Sequence, residues 1–208
     1  MYPLSVVGLG PGHPDYILPA AQKAIKEAEV ILCGERHLES FDAEGKELLI
    51  IGSGVPLSML VQQVKAIYLN TRTAVVVSGD PGFYSLLNYL SKMIPKENMK
   101  VIPGISSMQY MFAMMGLSWQ DAELMSLHGR EEDLLERLKT GKVVGTLTDP
   151  GHNTAYIAEQ LKANGYQDKW IYVGEDLSYE NEGITRLSVE EALTFEEEGL
   201  AVVVIADE

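Results

Sequence analysis

Thr73-Ala74-Val75-Val76-Val77-Ser78-Gly79-Asp80-Pro81-Gly82-Phe83-Tyr84 is the stretch on which the fold turns. Its first five residues, mostly β-branched and apolar, predict a short buried strand. Gly79, Pro81 and Gly82 then punctuate the chain. Ser85-Leu86-Leu87-Asn88-Tyr89-Leu90 resumes with apolar residues at helical spacing. Strand, glycine-proline loop, helix is the layout in which an α/β sheet offers a ligand its carboxyl edge. Two other stretches repeat it: Ser5-Val6-Val7-Gly8-Leu9-Gly10-Pro11-Gly12 before, and Lys100-Val101-Ile102-Pro103-Gly104-Ile105-Ser106-Ser107 after.

Outward from these loops, apolar runs alternate with helical patterns along the whole chain. Strands are expected at residues 4–8, 30–33, 47–51, 73–77 and 99–102, with helices at about 16–27, 56–69, 85–93 and 106–115. Asp15 is read as the cap of the first helix, with Pro19 in its opening turn. After a connector at Gly116-Leu117-Ser118-Trp119 a second alternating set begins, with strands at 123–127, 142–147, 169–174, 183–187 and 200–206. The expected architecture is α/β: two lobes, residues 1–117 and 118–208, each with a mixed or mostly parallel sheet, and a ligand cleft between them.

Composition narrows the function. The 208 residues are 46% hydrophobic and 22% charged, ordinary for a globular enzyme. The formal net charge of −14 argues against nucleic acid and anionic membrane surfaces as partners. It also means that an anionic ligand needs cations placed locally. No apolar run approaches the about 20 residues of a membrane span. Met1-Tyr2-Pro3-Leu4 has no basic segment of the kind that opens a signal peptide. A single cysteine, Cys33, in an apolar strand reads as a core residue and fits a reducing cytoplasm. The four histidines, His13, His37, His128 and His152, show no metal-ligand spacing, so no metal is expected. Neither a Gly-x-Ser-x-Gly elbow nor a Walker-type Gly-Lys-Ser/Thr occurs.

Taken singly, each loop has two readings. Gly8-x-Gly10 starts like a dinucleotide fingerprint but lacks the third glycine, so it is a ligand loop or a tight turn. Asp80 is a turn residue before Pro81, or an acceptor for ribose hydroxyls or a ligand ammonium. Ser106 and Ser107 cap a helix or offer its first amides to a carboxylate. Arg36 with His37, and His128 with Arg130, are solvated basic pairs or contacts to an anionic substrate. The methionines at 108, 111, 114 and 115 read as helix core.

Together, Gly8-Leu9-Gly10-Pro11-Gly12, Gly79-Asp80-Pro81 and Pro103-Gly104-Ile105-Ser106 resemble, in order and spacing, the tetrapyrrole methylase family of class III S-adenosylmethionine-dependent methyltransferases. The resemblance runs over essentially the whole chain. It implies cofactor contacts at Pro11, Ser78, Gly79, Asp80, Phe83, Ser106 and Ser107, and in the second lobe near Asp149 and Leu177. Ser78 stands where many relatives have glycine, and Thr148-Asp149-Pro150-Gly151 differs from several of them. Residues 10–21 and 34–38 are most similar to the branch that methylates C5 of cobalt-precorrin-7 in cobalamin biosynthesis. The resemblance thus implies an anionic tetrapyrrole substrate, with or without cobalt, a homodimer, and a separate C15-methyltransferase and decarboxylase as pathway neighbour. Arg36 and Arg130, with Arg186 behind them, are the expected partners of substrate carboxylates. His37 and His128 are the candidates for removing a proton, and no side-chain nucleophile is expected. The rival readings are methylation of another precorrin carbon, of diphthamide or of ribosomal RNA, and a non-catalytic nucleotide-binding module.

Overall fold

A computed structural model describes residues 1–52, 54–128, 133–199 and 201–207. The chain divides into two compact units, Met1–Ser106 and Ser107–Glu208.

The first unit holds β1 (Leu4–Gly8), α1 (Pro19–Glu27), β2 (Val30–Gly34), β3 (Glu47–Ile51), α2 (Leu57–Ile67), β4 (Thr73–Val77), α3 (Leu87–Leu90) and β5 (Met99–Ile102). The strands form one sheet in the order β3-β2-β4-β1-β5, parallel throughout. A parallel sheet buries both faces, and β4 shows it. Ala74 and Val76 join Val7, Ile31 and Cys33 against Ala21 and Ile25 of α1. Val75 and Val77 join Val6 and Leu32 against Leu60, Val61 and Val64 of α2. Cys33 is the buried core residue its strand suggested, and burial pushes its thiol up to about 11.

The helix expected from Tyr16 begins at Pro19, after a separate 3-10 turn at Pro14–Tyr16. Proline is well placed at the first helical position but disfavours helical backbone in the residue before it, so Leu18 stays extended. His13 Nδ1, and not Asp15, caps the preceding turn by accepting the Asp15 N–H. The helix expected over 85–93 is also shorter, regular only over Leu87–Leu90.

The second unit holds α4 (Ser107–Met114), β6 (Glu123–Ser126), α5 (Leu134–Thr140), β7 (Val143–Leu147), α6 (Thr154–Ala163), β8 (Trp170–Glu175), β9 (Gly183–Ser188), α7 (Val189–Ala192) and β10 (Ala201–Ala206). Its sheet is mixed, in the order β6-β7-β10-β8-β9. Only β6 and β7 run parallel; β10 is antiparallel to both of its neighbours. One face packs Val144, Ile171, Val173, Val203 and Ile205 on Leu138, Ile157, Leu161 and Val189.

The other face corrects the boundary expected at residue 117. Helix α4 belongs to the second unit because its methionines fill two gaps in that sheet. Gly145 and Gly174 sit opposite Val204 and Val202 on either side of β10. A Cβ on Gly145 would lie 2.5 Å from Met108 Sδ, and one on Gly174 would lie 2.6 Å from Met111 Sδ. Glycine inside a strand marks such a close approach. Met108, Met111 and Phe112 are fully buried there, whereas Met114 is exposed. Among the described residues no helix is long and apolar enough to cross a membrane.

Candidate functional site

In the first sheet β1 lies between β4 and β5, so the three glycine-proline loops leave three adjacent strands at one edge. The chain after β1 leads to α1 on one face, and the chain after β4 to Leu90 and Ile94 on the other. Loops that diverge in this way leave a crevice at the strands' carboxyl ends.

The loops are stitched together. Gly10 and Gly79 form an antiparallel bridge: Gly79 N–H donates to Gly10 O at 2.8 Å, and Gly10 N–H to Gly79 O at 3.3 Å. A Cβ on Gly8 would overlap the Gly79 carbonyl oxygen and lie 2.7 Å from Gly104 N. One on Gly104 would overlap the same oxygen and lie 2.9 Å from Gly8 C and 3.0 Å from Gly10 N. Only bare backbone fits at these crossings.

Asp80 ties the second loop to the third. Its Oδ1 accepts the Gly82 N–H at 2.7 Å, and its Oδ2 accepts the Gly104 N–H at 3.1 Å. The carboxylate therefore holds the loop after β4 to the loop after β5. Phe83, half-buried, packs edge-on against Tyr84 with ring centroids 5.0 Å apart. Tyr84 has a φ of 48°, a strained value for a bulky residue, at the turn out of this loop. Pro11 is half-buried, Ser106 is buried, and Ser107 is the first residue of α4 in the second unit. Backbone turns, a carboxylate and a flanking aromatic ring thus lie together at the carboxyl ends of neighbouring strands of this sheet.

Arg36 and His37 lie in a 3-10 segment, Glu35–Ser40, directly after β2. Because β2 pairs with β4, both reach Ser78 at the end of β4. Arg36 Nη2 donates to Ser78 Oγ at 2.8 Å, and His37 Nε2 is 2.8 Å from the same oxygen. The Gly34 N–H donates to His37 Nδ1 at 3.2 Å, which makes Nδ1 the acceptor and places the proton on Nε2. Burial, reinforced by the Arg36 charge, lowers the His37 pKa to about 4. Both ring nitrogens are thus committed, and the role of proton acceptor expected for His37 does not fit this geometry.

A pH effect follows. The folded state resists protonating His37 while the unfolded chain takes up a proton near 6.5. His37 therefore destabilises the fold as pH falls from about 6.5 to about 4, and its contribution flattens below that. Partial exposure screens the effect, and about 1–2 kcal/mol is expected. Urea titrations of wild type and His37→Phe across this range check it: the stability of wild type relative to the variant should fall by that amount on acidification.

In the second unit, the Nδ1–H of His128 donates to the Thr148 carbonyl at 3.1 Å, which leaves Nε2 as the basic nitrogen with no partner among the described residues. Asp149 folds back on its own turn. Its Oδ1 accepts from Gly151 N–H at 2.8 Å and His152 N–H at 2.9 Å, and the His152 ring lies 3.2 Å away. Thr148, Asp149 and Asn153 line a hollow of about 900 Å³ whose opposite wall is Leu193 to Gly199. Glu197 closes it at the start of α6, accepting the Thr154 N–H at 2.7 Å and the Thr154 hydroxyl. Leu177 is buried against Gly174 between Asp176 and Ser178, whose φ values of 45° and 74° are left-handed. Glu182 holds that turn: its Oε2 accepts Ser178 N–H at 2.7 Å and the Tyr110 hydroxyl at 2.8 Å. Arg186 stacks on Trp170, 3.7 Å from the ring centroid. Arg130 lies outside the described residues.

A family model for tetrapyrrole (corrin/porphyrin) methylases matches residues 3–193. The cobalt-precorrin-7 C(5)-methyltransferase of Salmonella typhimurium is 36% identical over 204 residues, 97% of this chain and 98% of that protein. A precorrin-6Y C(5,15)-methyltransferase (decarboxylating) of Sinorhizobium is 33% identical over 186 residues, 88% of this chain and 44% of that one. The structure of a uroporphyrin-III C-methyltransferase from Thermus thermophilus, complexed with S-adenosylhomocysteine, superposes with a TM-score of 0.79 at 19% identity, covering 98% of this chain and 97% of that chain. With its three stitched loops and a family match over most of its length, this chain belongs to the tetrapyrrole (corrin/porphyrin) methylases.

Proposed function

We propose that the protein is an S-adenosylmethionine-dependent methyltransferase acting on C5 of cobalt-precorrin-7, in cobalamin biosynthesis. The observation that carries this reading is the 36% identity to the Salmonella enzyme across 97% of this chain. Bound S-adenosylmethionine supplies a methyl group already activated on sulfur, so no side-chain nucleophile is required. The chain's task is then placement, which can contribute about 7–11 kcal/mol when reacting atoms are held in line. Gly10, Pro11, Ser78, Gly79, Asp80 and Phe83 form the first unit's cofactor wall, with Ser106 and Ser107 at the start of α4. In the second unit the family resemblance assigns cofactor contacts to Leu177 and Asp149. Arg36 meets a substrate carboxylate; it forms no ion pair among the described residues, in a chain of net charge −14. Arg130 is assigned to the same task from its sequence alone. His128, whose Nδ1–H is held by the Thr148 carbonyl, is assigned the proton released from the methylated carbon. The enzyme works in the cytoplasm as a homodimer, on a cobalt-bearing substrate, beside a separate enzyme for the C15 methylation and decarboxylation.

Incubation with cobalt-precorrin-7 and methyl-labelled S-adenosylmethionine is expected to place the label on C5. A label on another carbon would move the protein to another branch of the family. Absence of both transfer and S-adenosylhomocysteine binding in calorimetry would favour the non-catalytic reading.

A further inference from the structure

Arg36, His37 and Ser78 were assigned three separate tasks on sequence grounds, yet they meet at one oxygen. Ser78 Oγ accepts from Arg36 Nη2 and from His37 Nε2–H, both at 2.8 Å. A hydroxyl has two acceptor sites and one proton. With both acceptor sites filled, the Ser78 O–H is left as a donor only, and no described residue takes its hydrogen bond. The tautomer of His37 is what enforces this. Were Nε2 the acceptor, Ser78 would donate inward and be spent; the Gly34 N–H on Nδ1 forbids that arrangement. Arg36 is exposed, and it brings a positive charge with further N–H donors beside that hydroxyl.

We infer that Ser78 and Arg36 form a carboxylate clamp, with His37 as the positioning residue that holds the Ser78 hydroxyl outward as a donor. The inference rests on the methyltransferase reading, which offers two sources of a carboxylate: a side chain of the tetrapyrrole and the amino-acid end of the cofactor. An O–H and an N–H edge side by side suit the two oxygens of one carboxylate.

The test uses the full chain and two pairs of probes. One pair is S-adenosylhomocysteine and methylthioadenosine, which lacks the amino-acid end. The other is cobalt-precorrin-7 and its methyl ester. Ser78→Ala and Arg36→Ala are each expected to weaken the carboxylate-bearing member of one pair about tenfold and its carboxylate-free counterpart less than about twofold. The pair that responds identifies the source. His37→Phe should reproduce the loss, and His37→Gln, whose amide N–H can donate from the position of Nε2, should restore binding. In the Ser78→Ala background His37→Phe should cost nothing further, because His37 acts only through that hydroxyl. Ser78→Thr keeps the donor and should keep affinity; thermal melts identify any variant that fails to fold. Wild-type binding with no selective loss in Ser78→Ala, or a full additional loss from His37→Phe on top of it, overturns the clamp alone. A wild type that binds no probe overturns the methyltransferase reading with it.

Discussion

Gly104→Ala is expected to lower stability by about 3–4 kcal/mol, at the upper end for overpacking. For a chain of this length that is a fall in melting temperature of about 6–16 °C. The new methyl meets three backbone segments at once: the Gly79 carbonyl, Gly8 and Gly10. No rotamer change relieves the overlap, because none of the three contacts is a side chain. Relief requires parting the loops, which also breaks the Gly104 N–H bond to Asp80. Affinity for S-adenosylhomocysteine should fall with stability. Gly8→Ala meets the same Gly79 oxygen, so the double variant should cost less than the sum. Gly183→Ala, with open space around it and no left-handed backbone, is the control and should change stability by less than about 0.5 kcal/mol. A melting temperature for Gly104→Ala equal to the control's would show that the crossing is looser than described.

Asp80→Asn is the second large effect. The carboxylate accepts two backbone N–H groups with its two oxygens, and an amide can satisfy only one. The other N–H is left facing a donor, at a cost of about 1–3 kcal/mol. Asp80→Ala orphans both and should cost more. Because the Asp80 oxygens join the loop after β4 to the loop after β5, cofactor affinity should fall at least about tenfold in Asn even if Asp80 makes no ligand contact of its own. Denaturant midpoints and calorimetry with S-adenosylhomocysteine separate the two tasks. A loss of affinity with unchanged stability would make Asp80 a ligand contact and not a tie. Unchanged values of both would remove it from the site.

The alternation of strands and helices was readable because parallel strands buried on both faces leave continuous β-branched runs, as in Thr73–Val77. The three glycine-proline loops were readable because glycine is required where backbones cross this closely. Strand order was not readable. The meeting of Ser78 with Arg36 and His37, more than 40 positions apart, depends on β2 lying beside β4. Local pattern carries no information about which strands are neighbours. The same limit misplaced α4. Its apolar residues announced a buried helix, but the sheet that would receive it was marked only by Gly145 and Gly174 in strands further on. Those glycines were the available signal. The tie from Tyr110 through Glu182 to the turn at Ser178 had none, since a tyrosine on a helix and a glutamate in a loop are ordinary at either position.

The place of β10 bears on how the protein is made. The first sheet has all five strands once Ile102 has been added to the growing chain. In the second, β7 and β8 have no contact along the ladder except through β10, which follows both in sequence. Until Ala201–Ala206 emerges from the ribosome, that half of the molecule consists of a parallel pair and a separate hairpin, each with an apolar edge open to other chains. Synthesis therefore passes through an interval in which the nascent chain needs shielding, and it closes with the insertion of a single, wholly buried strand.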